Sequence, residues 1–474
     1  MRLAPTSNIF DSMGVEFLCR FLISLLKTKS SNAFIFSPVV ALSNLSCSSI
    51  LSILSIFPSS LISIYLLSLI SQQVYSTKTV IPNIVSNSNS TLATQRAWVK
   101  IDHQALAHNV CALKNILHPQ TRLMMVIKAD AYGHGALSVA KTVLNCGADY
   151  LAIATLSEGI ELRKGGITAP IMILGAINSP EEVKNIVEWQ LEPTICTVAQ
   201  GEIFAQTLKG LGVDLPVHLK IDTGMSRLGT LWHKTVTFVK GINNIPHLEV
   251  KSLYSHLATA DEPDPTVMNL QQKRFQDSIE ELKAHGINIP TLHLANSAGT
   301  IISQKLHYDM VRVGLALYGL YPAPHLRDKV NLKPVMEVKA RITQIKTVPP
   351  DTGVSYGHRF KCDRTTTIAV IGIGYADGVP RLLSNQMKVL IKGKYVSQIG
   401  NITMDQIMLD ITDFPDLKVG EIVTLLGKDG DREISADDWA NTIGTISWEI
   451  LCGFKHRLPR IDKITPTNDD HYYP

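Results

Sequence analysis

Residues 121–135 read TRLMMVIKADAYGHG, an apolar run that ends in a lysine and is followed by a turn with two glycines. The run 123–129 has the length of a buried strand, and strands of parallel sheets are apolar on both faces. A stretch of helical period, GALSVAKTVLNCG at residues 135–147, comes next. This order indicates a strand–helix unit of a parallel sheet.

Further short apolar runs follow, separated by amphipathic stretches. Strands that alternate with helices in this way suit a closed (β/α)8 barrel of the TIM type, because closure buries both strand faces and leaves no free edge. We therefore predict an α/β protein in which residues 96–332 form an N-terminal barrel. The eight predicted strands are residues 123–129, 150–155, 170–175, 191–195, 217–222, 251–256, 291–296 and 309–314.

From about residue 333 the helical period gives way to alternating apolar and polar residues, the period of half-buried strands. Residues 333–465 are therefore predicted to form a mainly-β C-terminal domain, followed by a tail at 466–474. The run AWVKID at residues 97–102 has the same alternation. It is a candidate strand of the C-terminal domain, although it precedes the barrel in the chain.

Residues 1–95 differ from the remainder of the chain: they are rich in Ser, Leu and Ile, and residues 30–77 carry no charge. The apolar part is long enough to cross a bilayer, which takes ~20 residues, but serines and Pro58 dilute it. Three interpretations stay open: a poorly ordered extension, an upstream stretch translated from a misplaced start, and a membrane anchor. Membrane contact is expected only through this segment.

Composition excludes several classes of function. The net charge of +4 comes from interspersed acids and bases, which leaves no basic stripe for nucleic acid. The seven cysteines are odd in number, widely spaced and never in a C-x-x-C pair, which argues against a disulfide framework and a zinc site. We expect no metal, no nucleic-acid partner and a reducing, cytoplasmic compartment.

Polar residues collect at the C-terminal ends of the predicted strands, where barrel enzymes keep their catalytic groups. Gly314 also lies where this fold frequently holds phosphate, through backbone N–H groups at the start of a short helix. The sequence therefore predicts a site for a phosphorylated ligand. The strand-end residues are Lys128, Asp222, His256, Asn296, Ser297, Arg312 and Gly314.

Lys128 ends an apolar run, and the glycines after it allow backbone to approach a ligand closely. Burial favours the neutral amine, which is the form that reacts with an aldehyde cofactor. The alternative is a lysine that reaches from the strand end into solvent.

The segment VIKADAYGHG, residues 126–135, resembles the cofactor-lysine segment of alanine racemases. The segments HLKIDTGMSRLG, YSHLATAD, LHLANSAG, MVRVGLALYGL, GVSYG and GNITMDQIMLD resemble further family segments in the same order, so the likeness extends from Arg96 to Arg460. It implies an enzyme that uses pyridoxal 5′-phosphate to interconvert L- and D-alanine, supplying D-alanine for peptidoglycan.

The resemblance also implies which residues bind the cofactor. Pyridoxal phosphate would be linked to Lys128, and Arg312 would lie beside its pyridine nitrogen. Because a guanidinium keeps its protons at neutral pH, this nitrogen would stay unprotonated and the ring would be a weaker electron sink. The other cofactor-binding residues that the resemblance implies are Tyr132, Arg227, His256, Asn296, Ser297, Gly314 and Leu315.

Racemisation requires a proton to leave one face of the substrate and another to arrive at the opposite face. The resemblance assigns these two transfers to Lys128 and to Tyr356, the tyrosine of GVSYG. A phenol has a pKa of about 10, so its use as a base needs nearby cations, which His256 and Arg312 would supply. From the residues alone, a tyrosine in a β segment is more often a packed aromatic.

Substrate binding is implied for Arg227 and for the backbone N–H of Met404, since a planar carboxylate suits a bidentate arginine. Lys220 matches a lysine that is carbamylated in some family members; an ordinary strand-end lysine is the alternative. Asp405 would support the turn at Met404. The sequence departs from the family at His456, where some members have a tyrosine that helps to hold phosphate.

Tyr356 and Met404 lie in the predicted C-terminal domain, whereas the cofactor residues lie in the barrel. In alanine racemases these two residues come from the partner subunit. The resemblance therefore implies a head-to-tail homodimer with shared active sites and a small amino acid as substrate.

Three other functions compete with this interpretation. A non-catalytic pyridoxal-phosphate-binding barrel protein would lack the C-terminal domain and Tyr356, and a barrel decarboxylase would have a carboxylate where Arg312 stands. A racemase for another small amino acid, such as serine, stays open, because a methylene or a hydroxyl changes pocket selectivity by only ~1–3 kcal/mol.

Overall fold

The computed structural model describes residues 94–462 of the chain. The predictions for the N-terminal extension, for its membrane alternative at residues 30–77 and for the tail at 466–474 therefore concern stretches outside the described residues. Within the described part, no helix is both long and apolar enough to cross a membrane.

The first half of the described chain contains a closed parallel barrel, as predicted. The strands of this half are β1 (Ala97–Ile101), β2 (Arg122–Val126), β3 (Tyr150–Ile153), β4 (Ile171–Ala176), β5 (Glu192–Ile195), β6 (Leu215–Asp222), β7 (Thr230–Leu231), β8 (Leu248–Tyr254), β9 (Leu292–His293) and β10 (Met310–Val313). The eight strands β2–β6 and β8–β10 follow one another in parallel around the barrel, and within the described residues β7 pairs only with β6.

The barrel closes where β10 pairs in parallel with β2, and where backbone hydrogen bonds of 3.0 Å join the segments of β9 and β10. Each of the eight predicted runs overlaps one of these strands. The predicted C-terminal boundary of the first run, residue 129, is wrong, because β2 ends at Val126. Lys128 is therefore not a strand residue but opens the turn that follows.

Helices connect the barrel strands, and their starts are capped by side chains. Thr155 and Glu158 form a reciprocal capping box at α4, and Ser179 and Glu182 form another at α5, which satisfies N–H groups that a helix start leaves free. The helices are α1 (His103–Asn115), α2 (Lys128–Gly133), α3 (Ala136–Asn145), α4 (Leu156–Lys164), α5 (Pro180–Glu188), α6 (Val198–Leu211), α7 (Thr235–Asn243), α8 (Thr266–Ala284), α9 (Ser297–Ile302), α10 (Ala436–Ile443) and α11 (Ser447–Gly453).

The second half of the described chain is mainly β, as predicted. Its sheet has the order β19-β18-β15-β16-β17-β14-β11-β1-β20, and an additional pairing of β18 with β11 curls it upon itself. Helices α10 and α11 belong to this half and were not predicted. The strands are β11 (Met336–Val348), β12 (Gly353–Val354), β13 (Phe360–Lys361), β14 (Thr366–Ile371), β15 (Lys388–Ile391), β16 (Lys394–Ile399), β17 (Ile407–Asp410), β18 (Ile422–Asp429), β19 (Arg432–Ile434) and β20 (Arg460–Asp462).

Strand β1 belongs to this second sheet, although it precedes the barrel in the chain. It pairs antiparallel with β11, with Ala97 opposite Ala340, and in parallel with β20, with Val99 opposite Arg460. The prediction that AWVKID is a strand of the second sheet is thus confirmed. The two ends of the described chain meet on β1, and this pairing brings Arg460 to the barrel.

Asn109 joins α1 to the segment that leads from the barrel into the second sheet. Its Nδ2 donates to the carbonyls of Leu317 (3.0 Å) and Lys333 (2.8 Å), and its Oδ1 accepts from the N–H of Lys333 (2.7 Å). The side chain is fully buried. One amide therefore satisfies backbone groups on both sides of the connection.

Replacing Asn109 with alanine should leave these backbone groups buried without a partner. We expect Asn109→Ala to lower the free energy of unfolding by about 1–3 kcal/mol, measured by urea unfolding. The matched control is Asn269→Ala, an asparagine on α8 that is exposed to solvent. Equal effects of the two substitutions would contradict the assigned role of Asn109.

Candidate active site

Lys128 is followed by a left-handed turn of the backbone. Residues Ala129, Asp130, Ala131 and Tyr132 have φ of 53–54° and ψ of 39–51°, the left-handed helical region. L-residues avoid this conformation because it costs about 1–2 kcal/mol per residue. Helix α2 is therefore a strained segment, and contacts from elsewhere in the fold must hold it.

The carboxylate of Glu158 holds the start of this turn. Its Oε1 accepts from the N–H of Ala129 (2.7 Å), and its Oε2 accepts from the N–H groups of Ala154 (2.7 Å) and Thr155 (3.1 Å). The same carboxylate thus caps α4 and fixes the backbone next to Lys128. The backbone next to Lys128 is tied in this way to the end of the neighbouring strand β3.

Arg460 holds the end of the turn from the second sheet. Its Nε and Nη2 donate to the carbonyl of Gly133 (3.1 and 2.9 Å), and Nη2 also donates to Phe454 (2.7 Å). Gly133 has a φ of 82°, and a Cβ there would lie 2.5 Å from the carbonyl oxygen of Leu451. Helix α11 therefore packs against backbone that only glycine can provide.

His134 stabilises the turn from inside. Its Nδ1 lies 2.8 Å from the carbonyl oxygen of Ala131 and 3.1 Å from that of Tyr132, so Nδ1 must carry the proton that it donates. The ring is fully buried and stacks on Tyr318 at 4.4 Å. Burial lowers the pKa of His134 to about 4, which keeps the imidazole neutral.

The amine of Lys128 is half-buried at the mouth of the barrel. Burial lowers its pKa, and the positive charge of Arg227 lowers it further. Glu158 and Cys452 act in the opposite direction but do not cancel these effects. The neutral amine, which is the nucleophilic and proton-accepting form, is therefore more populated than in an exposed lysine.

A compact cradle lies next to Lys128. A Cβ on Gly314 would lie 2.7 Å from the hydroxyl of Tyr132, so a side chain at this position would displace the tyrosine. Ser297 Oγ accepts from the N–H groups of Gly314 (3.1 Å) and Ala316 (3.3 Å). Asn296 caps α9 by accepting from the N–H of Gly299 (3.0 Å).

The predicted short helix follows Gly314 as a 3-10 turn, Leu315–Tyr318. The structure therefore brings together the predicted residues Tyr132, Ser297, Gly314 and Leu315. The imidazole of His456 is exposed to solvent.

Four positive side chains surround His256. Burial lowers its pKa well below the usual value, and the charges of Arg312, Lys220, Arg227 and Lys128 lower it further. We call these four residues the cation cluster. Arg312 Nη2 lies 3.1 Å from His256 Nδ1. Because a guanidinium only donates, Nδ1 is the acceptor and the hydrogen of the neutral ring is on Nε2.

Arg312 is 3% exposed and forms no ion pair with a carboxylate among residues 94–462. It donates through Nη2 to the carbonyls of Ser255 (2.7 Å) and Leu294 (3.2 Å), and its guanidinium lies 5.0 Å from the ring centre of Tyr254. Burial lowers its pKa to about 10. Its Nε–H has no acceptor within the described range and remains available to a ligand.

Lys220 is the second buried cation of the cluster. Burial and the charge of Arg312 lower its pKa to about 8, and its amine lies 5.3 Å from the ring centre of Tyr254. Arg227 is exposed and follows a turn in which Asp222 Oδ1 accepts from the N–H groups of Gly224, Met225 and Ser226. Asp222, noted as a strand-end polar residue, therefore shapes the loop that carries Arg227.

The structure does not bring Tyr356 and Met404 to the cation cluster within one chain. Tyr356 is 75% exposed and Met404 is 52% exposed. Asn401 Nδ2 donates to the carbonyl of Tyr356 (2.6 Å), so the loop that carries Tyr356 contacts the segment that leads to Met404. Asp405 follows Met404, and its Oδ1 accepts from Arg457 Nη2 (2.7 Å).

Sequence reasoning missed the residues that hold the site in place. Glu158, His134 and Arg460 act on backbone groups of the turn. The pattern of Thr155 and Glu158 predicts a helix cap, but the contacts of Glu158 and Arg460 with the turn depend on the tertiary fold. Further buried polar residues, His218, Ser252 and His293, carry a signal that was readable, because each interrupts an apolar strand run at an alternate position.

Three histidines, the buried His134 and His293 and the half-buried His256, make stability depend on pH, because desolvation lowers the pKa of each. The unfolded chain binds a proton on each near pH 6.5, whereas the folded chain does not until a much lower pH. The free energy of unfolding should therefore decrease as the pH is lowered below about 6.5. The decrease should be up to about 1.4 kcal/mol per pH unit for each histidine.

Urea unfolding between pH 7.5 and 5 measures this dependence. His134→Gln should flatten it, whereas the same substitution at the exposed His456 is the control. A free energy of unfolding that stays constant across this range would contradict the assignment of neutral buried histidines.

Comparison with known proteins identifies the family. Residues 101–322 match the model for the N-terminal domain of alanine racemase, and residues 335–462 match the model for its C-terminal domain. The alanine racemase of Synechocystis sp. is 62% identical over 77% of this chain and 99% of its own length. That of Nostoc sp. is 59% identical over 78% of this chain and 96% of its own length.

Solved structures agree with this match. The alanine racemase of Clostridium difficile has a TM-score of 0.74 and 36% identity, covering 78% of this chain and 96% of that one. Sequence and fold thus agree across both halves of the described chain, and the chain belongs to the alanine racemase family.

Proposed function

We propose that this enzyme interconverts L- and D-alanine by moving protons at opposite faces of the substrate, with Lys128 on one face and Tyr356 of the partner subunit on the other. The observation that carries this proposal is the position of Lys128, a half-buried lysine whose pKa is lowered by burial and by Arg227 at the mouth of the barrel. A lysine in this state can accept and return a proton near neutral pH.

The residues of the site fit pyridoxal 5′-phosphate. The free Nε–H of the buried Arg312 is aimed at no protein acceptor, and Gly314 keeps the space beside Tyr132 clear of a side chain. Lys128 would hold the aldehyde carbon, Arg312 the ring nitrogen, and Tyr132, Ser297 and the backbone near Leu315 the phosphate. When bound, this group acidifies the α-hydrogen of the amino acid by withdrawing electrons.

Arg312 and His256 would make a tyrosine usable as a base. The guanidinium donates to His256 Nδ1, which leaves the hydrogen on Nε2 free to be donated to a phenolate oxygen. A hydrogen bond of this kind, with positive charge behind it, favours the charged phenolate and lowers the pKa of the phenol. His256 and Arg312 thus support Tyr356 of the partner subunit without taking the proton themselves.

Arg227 and the backbone N–H of Met404 of the partner subunit would bind the substrate carboxylate. Lys220 would keep Arg227 in place. Its amine lies among other cations and has a pKa near 8, so carbamylation would replace a repelled positive charge by a negative one. Asn296 would line the same side of the site, and Asp405 would support the turn at Met404 through its bond to Arg457.

The exposed surface of the second sheet supports a homodimer with shared active sites. Tyr356, Tyr375, Leu382 and Met404 are large apolar side chains that are 42–75% exposed. Hydrogen bonds join their loops, for example from the N–H of Ala376 to the carbonyl of Met404 (3.1 Å). A second copy that covers this surface would bury the apolar groups and bring the tyrosine to the other subunit's lysine.

The domain division at residue 333 is part of the proposal, supported by the gap between the two family matches at 322 and 335. Free thiols support a reducing compartment such as the cytoplasm. Among residues 94–462 the free thiols are those of Cys111, Cys146, Cys196, Cys362 and Cys452.

Exchange of the substrate α-hydrogen in deuterated water tests the reaction. We expect alanine to exchange faster than serine or lysine, Lys128→Ala to abolish exchange and the visible absorption of bound cofactor, and Tyr356→Phe to lower kcat by about 100- to 10,000-fold. The matched control is Tyr395→Phe, a half-exposed tyrosine of the same domain. Full activity of Tyr356→Phe in both directions would refute the assignment of the second face.

Mixed dimers test the sharing of active sites. Lys128→Ala and Tyr356→Phe, carrying different tags and expressed together, should form a heterodimer in which one site has both residues intact and the other has neither. We expect the purified heterodimer to recover about half of the wild-type kcat, while each parent homodimer remains impaired. A heterodimer no more active than its parents would show that each site uses residues of one chain only.

A further inference from the structure

A row of buried polar side chains crosses the interior of the barrel from β5 to β10. Ser252 Oγ lies 2.6 Å from His218 Nδ1 and 2.8 Å from His293 Nε2. His218 Nε2 lies 2.8 Å from Glu192 Oε2, and His293 Nδ1 lies 3.0 Å from Arg312 Nη1. We call this row the Glu192–Arg312 relay. It connects a carboxylate to the guanidinium of the cation cluster.

The hydrogen positions follow from the arginine end. A guanidinium has no acceptor, so His293 Nδ1 must accept from Arg312 and be unprotonated. Burial and the charge of Arg312 lower the pKa of His293 well below its usual value, so the ring is neutral and carries its hydrogen on Nε2. His293 therefore donates to Ser252 Oγ.

Ser252 determines the direction of the next hydrogen bond, to His218. Its oxygen accepts from His293, and its single hydrogen has one remaining partner, His218 Nδ1. His218 must then carry its hydrogen on Nε2 and donate it to the carboxylate of Glu192. A doubly protonated His218 would place two donors against one hydroxyl and leave the hydroxyl hydrogen without an acceptor.

We propose that Glu192, His218 and Ser252 are positioning residues for Arg312: through His293 they hold its guanidinium in the orientation in which it meets the cofactor nitrogen. This proposal rests on the proposed function, because that function defines the task of Arg312. The carboxylate of Glu192, at the other end of the relay from Arg312, thereby orients the hydrogen-bond acceptors between them.

The relay matters because Arg312 is a buried cation that no carboxylate of residues 94–462 pairs with directly. Hydrogen bonds in a chain polarise one another, so a negative charge at Glu192 strengthens the acceptor that His293 offers to Arg312. The side chain of Glu192 is 14% exposed, which limits screening by water. Glu192 thereby acts on Arg312 through neutral groups. A direct ion pair would instead compete with the ligand for the guanidinium.

Packing keeps the relay in register. His218 and Ser252 are paired across β6 and β8, and Tyr254 and His293 are paired across β8 and β9. The ring of Tyr254 stacks on that of His293 at 4.8 Å with planes 14° apart, and the guanidinium of Arg312 lies over the same tyrosine. Neither ring can turn without breaking this layer.

Neutron diffraction from crystals of the holoenzyme tests the hydrogen positions directly. We expect His293 and His218 to carry one hydrogen each, on Nε2, and the hydroxyl hydrogen of Ser252 to point at His218 Nδ1. A hydrogen on His293 Nδ1, or two hydrogens on His218, would overturn the relay. This outcome does not depend on the reaction that the enzyme catalyses.

Kinetics of Ser252→Ala and Glu192→Gln test the positioning role. We expect kcat per bound cofactor to fall by about tenfold, the effect of roughly one lost hydrogen bond on a barrier, with little change in KM. The matched control is Ser278→Ala, an equally buried serine on α8 outside the relay. It should lower the unfolding midpoint but leave kcat per bound cofactor unchanged.

The outcomes separate the two proposals. If Ser252→Ala and Glu192→Gln reduce stability and cofactor content but keep the wild-type kcat per bound cofactor, the relay residues are structural and the positioning role is wrong. If the wild-type enzyme fails to racemise alanine while the neutron map has the expected hydrogens, the proposed function fails and the relay stands.

Discussion

The site depends on a segment of backbone that is unfavourable by itself. Four consecutive L-residues after Lys128 take the left-handed conformation, and this turn directs Lys128 and Tyr132 into the same space beside Gly314. Such strain persists only where the surrounding fold over-determines it. Here Glu158 holds the start and Arg460 holds the end, so the barrel and the second sheet must both be formed before the lysine is in place.

Charge is the second constraint. The cation cluster has more positive charge than nearby carboxylates can neutralise, and burial raises the electrostatic cost. The consequence is a set of lowered pKa values, at Lys128, Lys220 and His256, that keeps bases available near neutral pH. A phosphorylated, carboxylate-bearing ligand complements this excess of positive charge. The same excess explains why a distant carboxylate, Glu192, would be useful when connected through neutral groups.

The two halves of the described chain carry different groups of the candidate site. The barrel carries the lysine and the cation cluster, whereas the second sheet presents Tyr356 and Met404 on an exposed apolar surface. Within one chain these groups are not in contact. If a second copy supplies Tyr356 and Met404, as proposed, activity requires the association of two subunits.

The sequence by itself determined the alternation of eight strands with helices, the β-rich second half and the strand-end side chains, because apolar periodicity and turn residues are local properties. It also indicated the family through ordered motifs. Only the tertiary structure decided that Lys128 opens a left-handed turn, that β1 joins the second sheet, and that Arg460 and Glu158 hold the turn. These depend on contacts between residues far apart in the chain, and such contacts leave no periodic trace in the sequence.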